Sequence, residues 1–385
     1  MSQVCSNRSQ MRLRSAVTLA MMAVMLVSSR AFAQGAGTAQ AWGSNASGQL
    51  GDGTTVGRPT PGPVSGLTTV IALSAGDSHT LALLSDGTVM AWGNNGYGQL
   101  GDGTFVSRTT PVPVSGLTGV TAVVAGDAHS LALLSDGTVM AWGENLFGTL
   151  GSGTISGPRA TPGPVVGLTN VIAVAAGDGD SLALLLDGTV MAWGYNGYGQ
   201  LGDGTFDSRA TPGPVSGLAS VTAVAAGGYH NLALLLDGTI MAWGNNGFGQ
   251  LGDGTFTHRT TPVAVSGLTG VTALAGGGLH GVALLGDGTV MAWGYNSYGQ
   301  LGDGTFDSRA TPGPVSGLAT VTALAAGDFH NLALLSDGSV MAWGYNNRGQ
   351  LGDGTINTPT RPVLASGLAN VIALSAGGYH SLAMY

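Results

Sequence analysis

The 385-residue sequence contains no lysine, one cysteine and only 8% charged residues. Each shortage excludes something. Nucleic-acid binding needs Lys and Arg gathered in a patch to neutralise phosphates. Here twelve arginines lie scattered among twenty acidic residues, for a net charge of −8. With Cys5 alone, no internal disulfide can form, so packing and backbone pairing must hold the chain. Glutamate occurs once, as Glu144. There is no Gly-x-Ser-x-Gly, no His-Glu-x-x-His and no phosphate-cradling P-loop. We therefore expect no enzyme activity, no cofactor and no metal site.

What is abundant is glycine, 68 residues, and a repeat. All seven tryptophans precede a glycine, at Trp42, Trp92, Trp142, Trp193, Trp243, Trp293 and Trp343. A period of about 50 residues marks a stack or ring of supersecondary units. The first 33 residues stand outside it and read as a signal peptide. Arg8, Arg12 and Arg14 precede an apolar run, Ala16 to Val27, and Ala31-Phe32-Ala33 forms a cleavage site. The run is too short for a comfortable membrane span. Met11 is an alternative start, because the segment after it is already a complete signal. Cleavage would leave residues 34–385 with no cysteine and a net charge near −12. The expected location is periplasmic or secreted, and the expected state a monomer with no membrane span.

One unit shows how the repeat folds. Val120 to Ala125 is rich in small and β-branched residues and predicts a strand A. His129 to Leu134 alternates as strand B, Asp136-Gly137 supplies a tight hairpin turn, and Thr138 to Trp142 is strand C. Pro162 to Val165, after a long loop, suits an edge strand D, since proline cannot donate to a ladder. The ends of the chain test this reading. The last unit stops at Tyr385 inside strand B, while Gly37 to Gly43 aligns with the strand-C segment Gly87 to Gly93. One blade therefore takes strands A and B from the C-terminus and C and D from the N-terminus. The expectation is a single all-β domain, a seven-bladed β-propeller with four antiparallel strands per blade, closed by that shared blade.

The pattern Ala-Gly-x-x-His-x-Leu-Ala-Leu, then Asp-Gly-Thr-Val-x-x-Trp-Gly-x-Asn-x-x-Gly-Gln-Leu-Gly, resembles the regulator of chromosome condensation repeat. It covers residues 37–385 and implies the seven-bladed propeller. Members of that family include a nucleotide-exchange factor for a small nuclear GTPase and an exported bacterial β-lactamase inhibitor. Fold alone does not select among such roles. The even repeat lengths leave no room for a GTPase-engaging insertion, and an exported protein would not meet that partner. No tryptophan beyond the repeated seven is present to anchor an inhibitory loop.

Antiparallel order puts the A–B turns and the long C–D loops on one face. That face collects Tyr97, Phe147, Tyr195, Tyr198, Phe248, Tyr295, Tyr298 and Tyr345 from the C–D loops, and Tyr229, Phe329 and Tyr379 from the A–B turns. Phe105, Phe206, Phe256 and Phe306 follow the Gly-Asp-Gly-Thr element. Aromatics on loops of a rigid scaffold are binding equipment. The leading expectation is a non-catalytic scaffold for a protein or cell-envelope partner. A glycan-binding propeller is the alternative, because residues 191–227 and 291–327 agree at 34 of 37 positions and equivalent blades suit a repeating ligand.

Two recurrent polar features read as structural. Six histidines open strand B, at His79, His129, His230, His280, His330 and His380, with Asp180 in the remaining place. Gly-Asp-Gly-Thr lacks the ligand spacing of a Ca²⁺ loop and reads as a turn. The unit from Trp142 departs furthest, with Glu144, Ser152 in place of Asp, and Asp180 in place of His. If one sector is specialised, we expect Glu144, Asp178 and Asp180 to gather there as an acidic spot for a cation or a basic partner.

Overall fold

A computed structural model describes residues 37–385, so the expected signal segment and Cys5 lie outside the described residues. The described residues form seven four-stranded antiparallel sheets. In the unit read above, strand A is Val120–Ala125, strand B His129–Leu134, strand C Val139–Gly143 and strand D Arg159–Pro164. Strand D begins three residues before the segment chosen from sequence. Its proline does occupy the sheet edge, in the order D-C-B-A. We number the blades in chain order from the one that starts at Val70.

The seventh blade is shared. Ala39–Gly43 pairs along its length with His380–Met384, from Ala39 opposite Met384 to Gly43 opposite His380. Arg58–Pro63 and Ala373–Ala376 complete that sheet. The ring thus closes through backbone hydrogen bonds between the two ends of the chain, and each blade is left only a short outer edge that carries proline in most blades.

The core lies between blades. Each apolar cluster joins the facing sides of two neighbouring blades around one tryptophan. In one such cluster Leu81, Leu83, Ala91, Leu100 and Val114 of blade 1 meet Val120, Ala132 and Trp142 of blade 2. Every tryptophan is fully buried. Each indole N–H also reaches back to a C–D loop carbonyl of the preceding blade at 2.8–3.0 Å, as Trp142 does to Gln99. The approach is so close that Gly101, at φ +66°, has no room for a side chain: a Cβ there would lie 2.8 Å from the Trp142 indole nitrogen.

At the ring centre the strand-A ends come together as repeated Ala-Gly, around a channel of about 150 Å³. A Cβ on Gly126 would sit 2.8 Å from the Gly177 carbonyl of the next blade, which is why these positions stay bare. Among the described residues no helix is long and apolar enough to cross a membrane.

The indole bond can be isolated from the indole bulk. Trp142→Phe keeps most of the buried ring but leaves the Gln99 carbonyl with one donor fewer. We expect a loss of about 1–3 kcal/mol in urea unfolding. A variant as stable as its parent would show that the bond adds nothing to shape.

Candidate functional site

The loop face is built on buried polar pegs. Asn95, wholly buried, donates to the Thr104 and Val106 carbonyls at 3.0 and 3.1 Å and accepts from the Leu100 amide at 3.0 Å. Asp102 caps the Thr104 amide and hydroxyl at 2.9 and 2.7 Å with one oxygen and pairs with Arg108 at 2.8 Å with the other. Gly-Asp-Gly-Thr is therefore used up in making its own turn. In blade 2, Ser152 cannot supply the second oxygen, and one guanidinium nitrogen of Arg159 is buried without a partner.

The strand-B histidines form a circuit between blades. His79 donates from Nε2 to Ser130 at 2.9 Å, and Ser130 donates in turn to the Gln99 carbonyl at 2.8 Å. The same link joins His129 to Ser181, His280 to Asn331, His330 to Ser381 and His380 to Thr80. Two places differ. Asp180 accepts from Asn231 at 2.7 Å, and His230 lacks a side-chain partner, because the next blade carries Gly281 where the others carry Ser, Thr or Asn. The imidazoles are structural links.

Above this layer the aromatic side chains pack on one another. Phe147, Tyr195, Tyr198 and Tyr229 form one group, with centroids 4.7 Å apart for Phe147–Tyr195 and 5.4 Å for Tyr198–Tyr229. Two blades on, Phe248, Tyr295, Tyr298 and Phe329 repeat it at 4.9 and 5.5 Å. Tyr298 continues to Tyr345 at 4.5 Å, and Tyr345 to Tyr379 at 5.9 Å. Ten of the eleven sequence-chosen aromatics thus share ring contacts, all of them half-buried or exposed. Tyr97 stands apart from these pairs and lines a recess described below. Phe105, Phe206, Phe256 and Phe306 are more than half exposed and make no ring pair among the described residues.

The acidic residues do not gather as expected. Asp180 is fully buried in the inter-blade circuit, where it stands in for a histidine, and it lines no recess. Glu144 and Asp178 do meet, in a recess of about 380 Å³ centred on blades 2 and 3 and bounded by Tyr97 of blade 1 and Tyr229 of blade 4. Asp127 joins them there, and Asp77, Asp127, Asp178 and Asp328 ring the channel mouth. Sequence reasoning missed Asp77, Asp127 and Asp328. The signal was the residue pair in the A–B turns, which in six of the seven is Asp followed by a small residue (Asp77-Ser78, Asp127-Ala128, Asp178-Gly179) or Gly followed by a large one (Gly228-Tyr229, Gly278-Leu279, Gly378-Tyr379), with Asp328-Phe329 combining the two. Burial together with the facing Asp77 and Asp127 carboxylates raises Asp328 to about 7. Lost solvation, then Asp77 and Glu144, raise Asp127 to about 6, although it keeps contact with water at the mouth. Burial, then Asp328 and Asp127, push Asp178 well above the usual range. No set of three His, Cys, Asp or Glu groups among the described residues is spaced to hold a metal ion.

The histidine circuit has a pH signature. Burial lowers His129 to about 4 in the fold, against 6.5 in the free residue. Between those values the unfolded chain binds the proton and the folded one does not, so this contribution to stability is full above 6.5 and is lost as pH falls towards 4. His129→Gln retains a donor towards Ser181 but cannot titrate. Its stability deficit relative to the parent should narrow by about 2 kcal/mol between pH 7 and pH 5 in urea unfolding. A constant deficit would place the titration elsewhere.

Comparison with known proteins gives a consistent family. A model of the RCC1-like domain matches residues 38–383. The chain is similar to human WBSCR16, with 28% identity over 90% of this chain and 98% of that one and a TM-score of 0.82. Prp20p from Saccharomyces cerevisiae shares 25% identity over 91% of both chains, with a TM-score of 0.79. Yeast RCC1, solved bound to Kap60, superposes with a TM-score of 0.80 at 24% identity, over 90% of this chain and 88% of that one, a likeness of fold alone. Comparison with curated protein sequences gives no match. With the match running through all seven blades, the chain belongs to the RCC1-like domain family.

Proposed function

We propose that this propeller is a non-catalytic, exported scaffold that binds a protein partner through its aromatic loop face. The observation that carries the reading is the run of rings from Phe248 through Tyr295, Tyr298 and Tyr345 to Tyr379, half-buried against one another and open to solvent on one side. Tyrosines held this way present large apolar area and a polar tip at little further entropic cost, which suits a protein interface. Prp20p, a relative of the same shape, was characterised for its binding to Gsp1p and histones. Export is supported by the basic, apolar and small-residue order of residues 1–33.

A second reading draws on the duplication. The Phe147–Tyr195–Tyr198–Tyr229 group and its copy two blades on have nearly equal ring spacings. Two like platforms suit a glycan of repeating sugars, bound by stacking and multivalency.

The two readings separate experimentally. Tyr198→Ala/Tyr298→Ala should abolish capture of a stoichiometric protein from periplasmic or extracellular extract while leaving the melting temperature within a few degrees. A partner retained by the double variant would remove this face from the interaction. Glycan-array binding by the parent, lost in the variant, would instead establish the second reading.

A further inference from the structure

The two aromatic groups provide an internal comparison. Around Phe248, Tyr295 and Tyr298 the neighbouring positions are Asn245, Gly228-Tyr229 and Gly278-Leu279. Around Phe147, Tyr195 and Tyr198 the same positions carry Glu144, Asp127-Ala128 and Asp178-Gly179. The rings are alike, but only one group has three carboxylates and only there do small turn residues leave space. That space is the recess of about 380 Å³. It is walled by aromatic rings and edged by Asp127, Asp178 and Glu144.

These carboxylates are left open. Among the described residues, neither the Asp127 nor the Asp178 side chain accepts a hydrogen bond from the chain, and no arginine pairs with either. Glu144 is positioned by its own loop, accepting from the Leu146 amide at 2.7 Å and the Thr149 hydroxyl at 3.1 Å. The recess has no basic lining residue, so this chain supplies its carboxylates with no positive partner. A bare metal ion does not fit, because the carboxylates are not spaced as a ligand set and the walls are aromatic.

We propose that this recess receives one guanidinium group, presented as an arginine side chain of the partner protein. The proposal rests on the reading of the loop face as a protein-binding surface. A guanidinium is flat, so it stacks on a tyrosine or phenylalanine face, and its fork of N–H donors matches carboxylates at the rim. An ammonium offers neither the plane nor the fork and holds its water more tightly. Entry of the cation would relieve the repulsion among Asp77, Asp127, Asp178, Asp328 and Glu144. Occupancy would also shield the phenol of Tyr229, which burial and the nearby Asp178 and Asp127 hold up at about 12.

The test is calorimetric titration of the intact protein at low ionic strength with N-acetyl-arginine amide, against its citrulline and lysine counterparts. Citrulline keeps the shape and removes the charge. We expect arginine to bind, lysine to bind several-fold more weakly, and citrulline to bind at least tenfold more weakly. Asp127→Asn/Asp178→Asn, which preserves size, should lower arginine affinity at least tenfold without lowering the melting temperature, since it also removes a repulsion, while Asp86→Asn on the opposite face leaves the affinity unchanged. Citrulline binding as well as arginine, no arginine binding at all, or a double variant that binds like the parent would each overturn the proposal. Its failure is separable from failure of the broader reading. A partner lost on Tyr198→Ala/Tyr298→Ala, with an arginine probe indifferent to Asp127 and Asp178, sinks only the recess. Probe binding that depends on those aspartates, with partner capture untouched by the tyrosines, would keep the recess as a guanidinium site and overturn its assignment to an arginine of the partner protein.

Discussion

One backbone carbonyl per blade organises this molecule. The carbonyl of Gln99 accepts the indole N–H of Trp142 at 2.8 Å and the hydroxyl of Ser130 at 2.8 Å, both from the next blade. Ser130 in turn accepts from His79, back in the first blade. Three side chains and one loop are thereby tied at a single buried point, and each element has its place in the repeat for that reason. The indole fills the space between sheets, the hydroxyl or amide is small enough to sit beneath it, and the histidine spans to the following blade. Buried polar groups require such partners, since each one left unmet costs about 1–3 kcal/mol. The circuit departs from its pattern at two places: Asp180 keeps a bond between blades by accepting from Asn231, and His230 is left without a side-chain partner.

Much of this was legible in the sequence because the ring forces every unit to solve the same problem. The 50-residue tryptophan period, the Asp-Gly hairpins and the split unit at the chain ends led to seven blades and to the pairing of Ala39–Gly43 with His380–Met384. The histidines and the Gly-Asp-Gly-Thr aspartates read correctly as structural, because a motif present in nearly every unit answers to the scaffold. Strand D was placed late, since its arginine start carries no strand signal and a register shift separates its first pair, Arg159 opposite Gly143, from the pairs at Gly163 and Pro164.

The acidic spot was harder, for a physical reason. Sequence places Asp178 and Asp180 two residues apart, and in a strand that spacing means the same face. The turn ends between them: Asp178 lies in the A–B turn at the channel mouth, whereas Asp180 is the first residue of strand B and points into the inter-blade layer. Asp77 and Asp127 belong with Asp178 through the ring geometry, at separations of roughly one and two repeats, which local reasoning does not see. Comparing the turns across blades does reveal them, since Asp with a small neighbour and Gly with a large one are alternative ways to fill the same volume.

That alternation explains how a near-symmetric ring acquires a one-sided face. Blades 4, 5 and 7 close the space above their turns with Tyr229, Leu279 and Tyr379, and blade 6 does so with Phe329 beside Asp328. Blades 1 to 3 leave the space open and line it with carboxylates that repel one another. Repulsion of this kind lowers stability and would be eliminated by simple glycines, as in blades 4, 5 and 7. A scaffold closed at every seam by an indole bond and a backbone-paired final blade can carry that cost. The cost also has a direction: it falls most for a ligand that is positively charged, flat and partly apolar, because such a ligand satisfies the carboxylates and the aromatic walls together. The folded ring therefore stores its specificity in the few turn positions that packing leaves free.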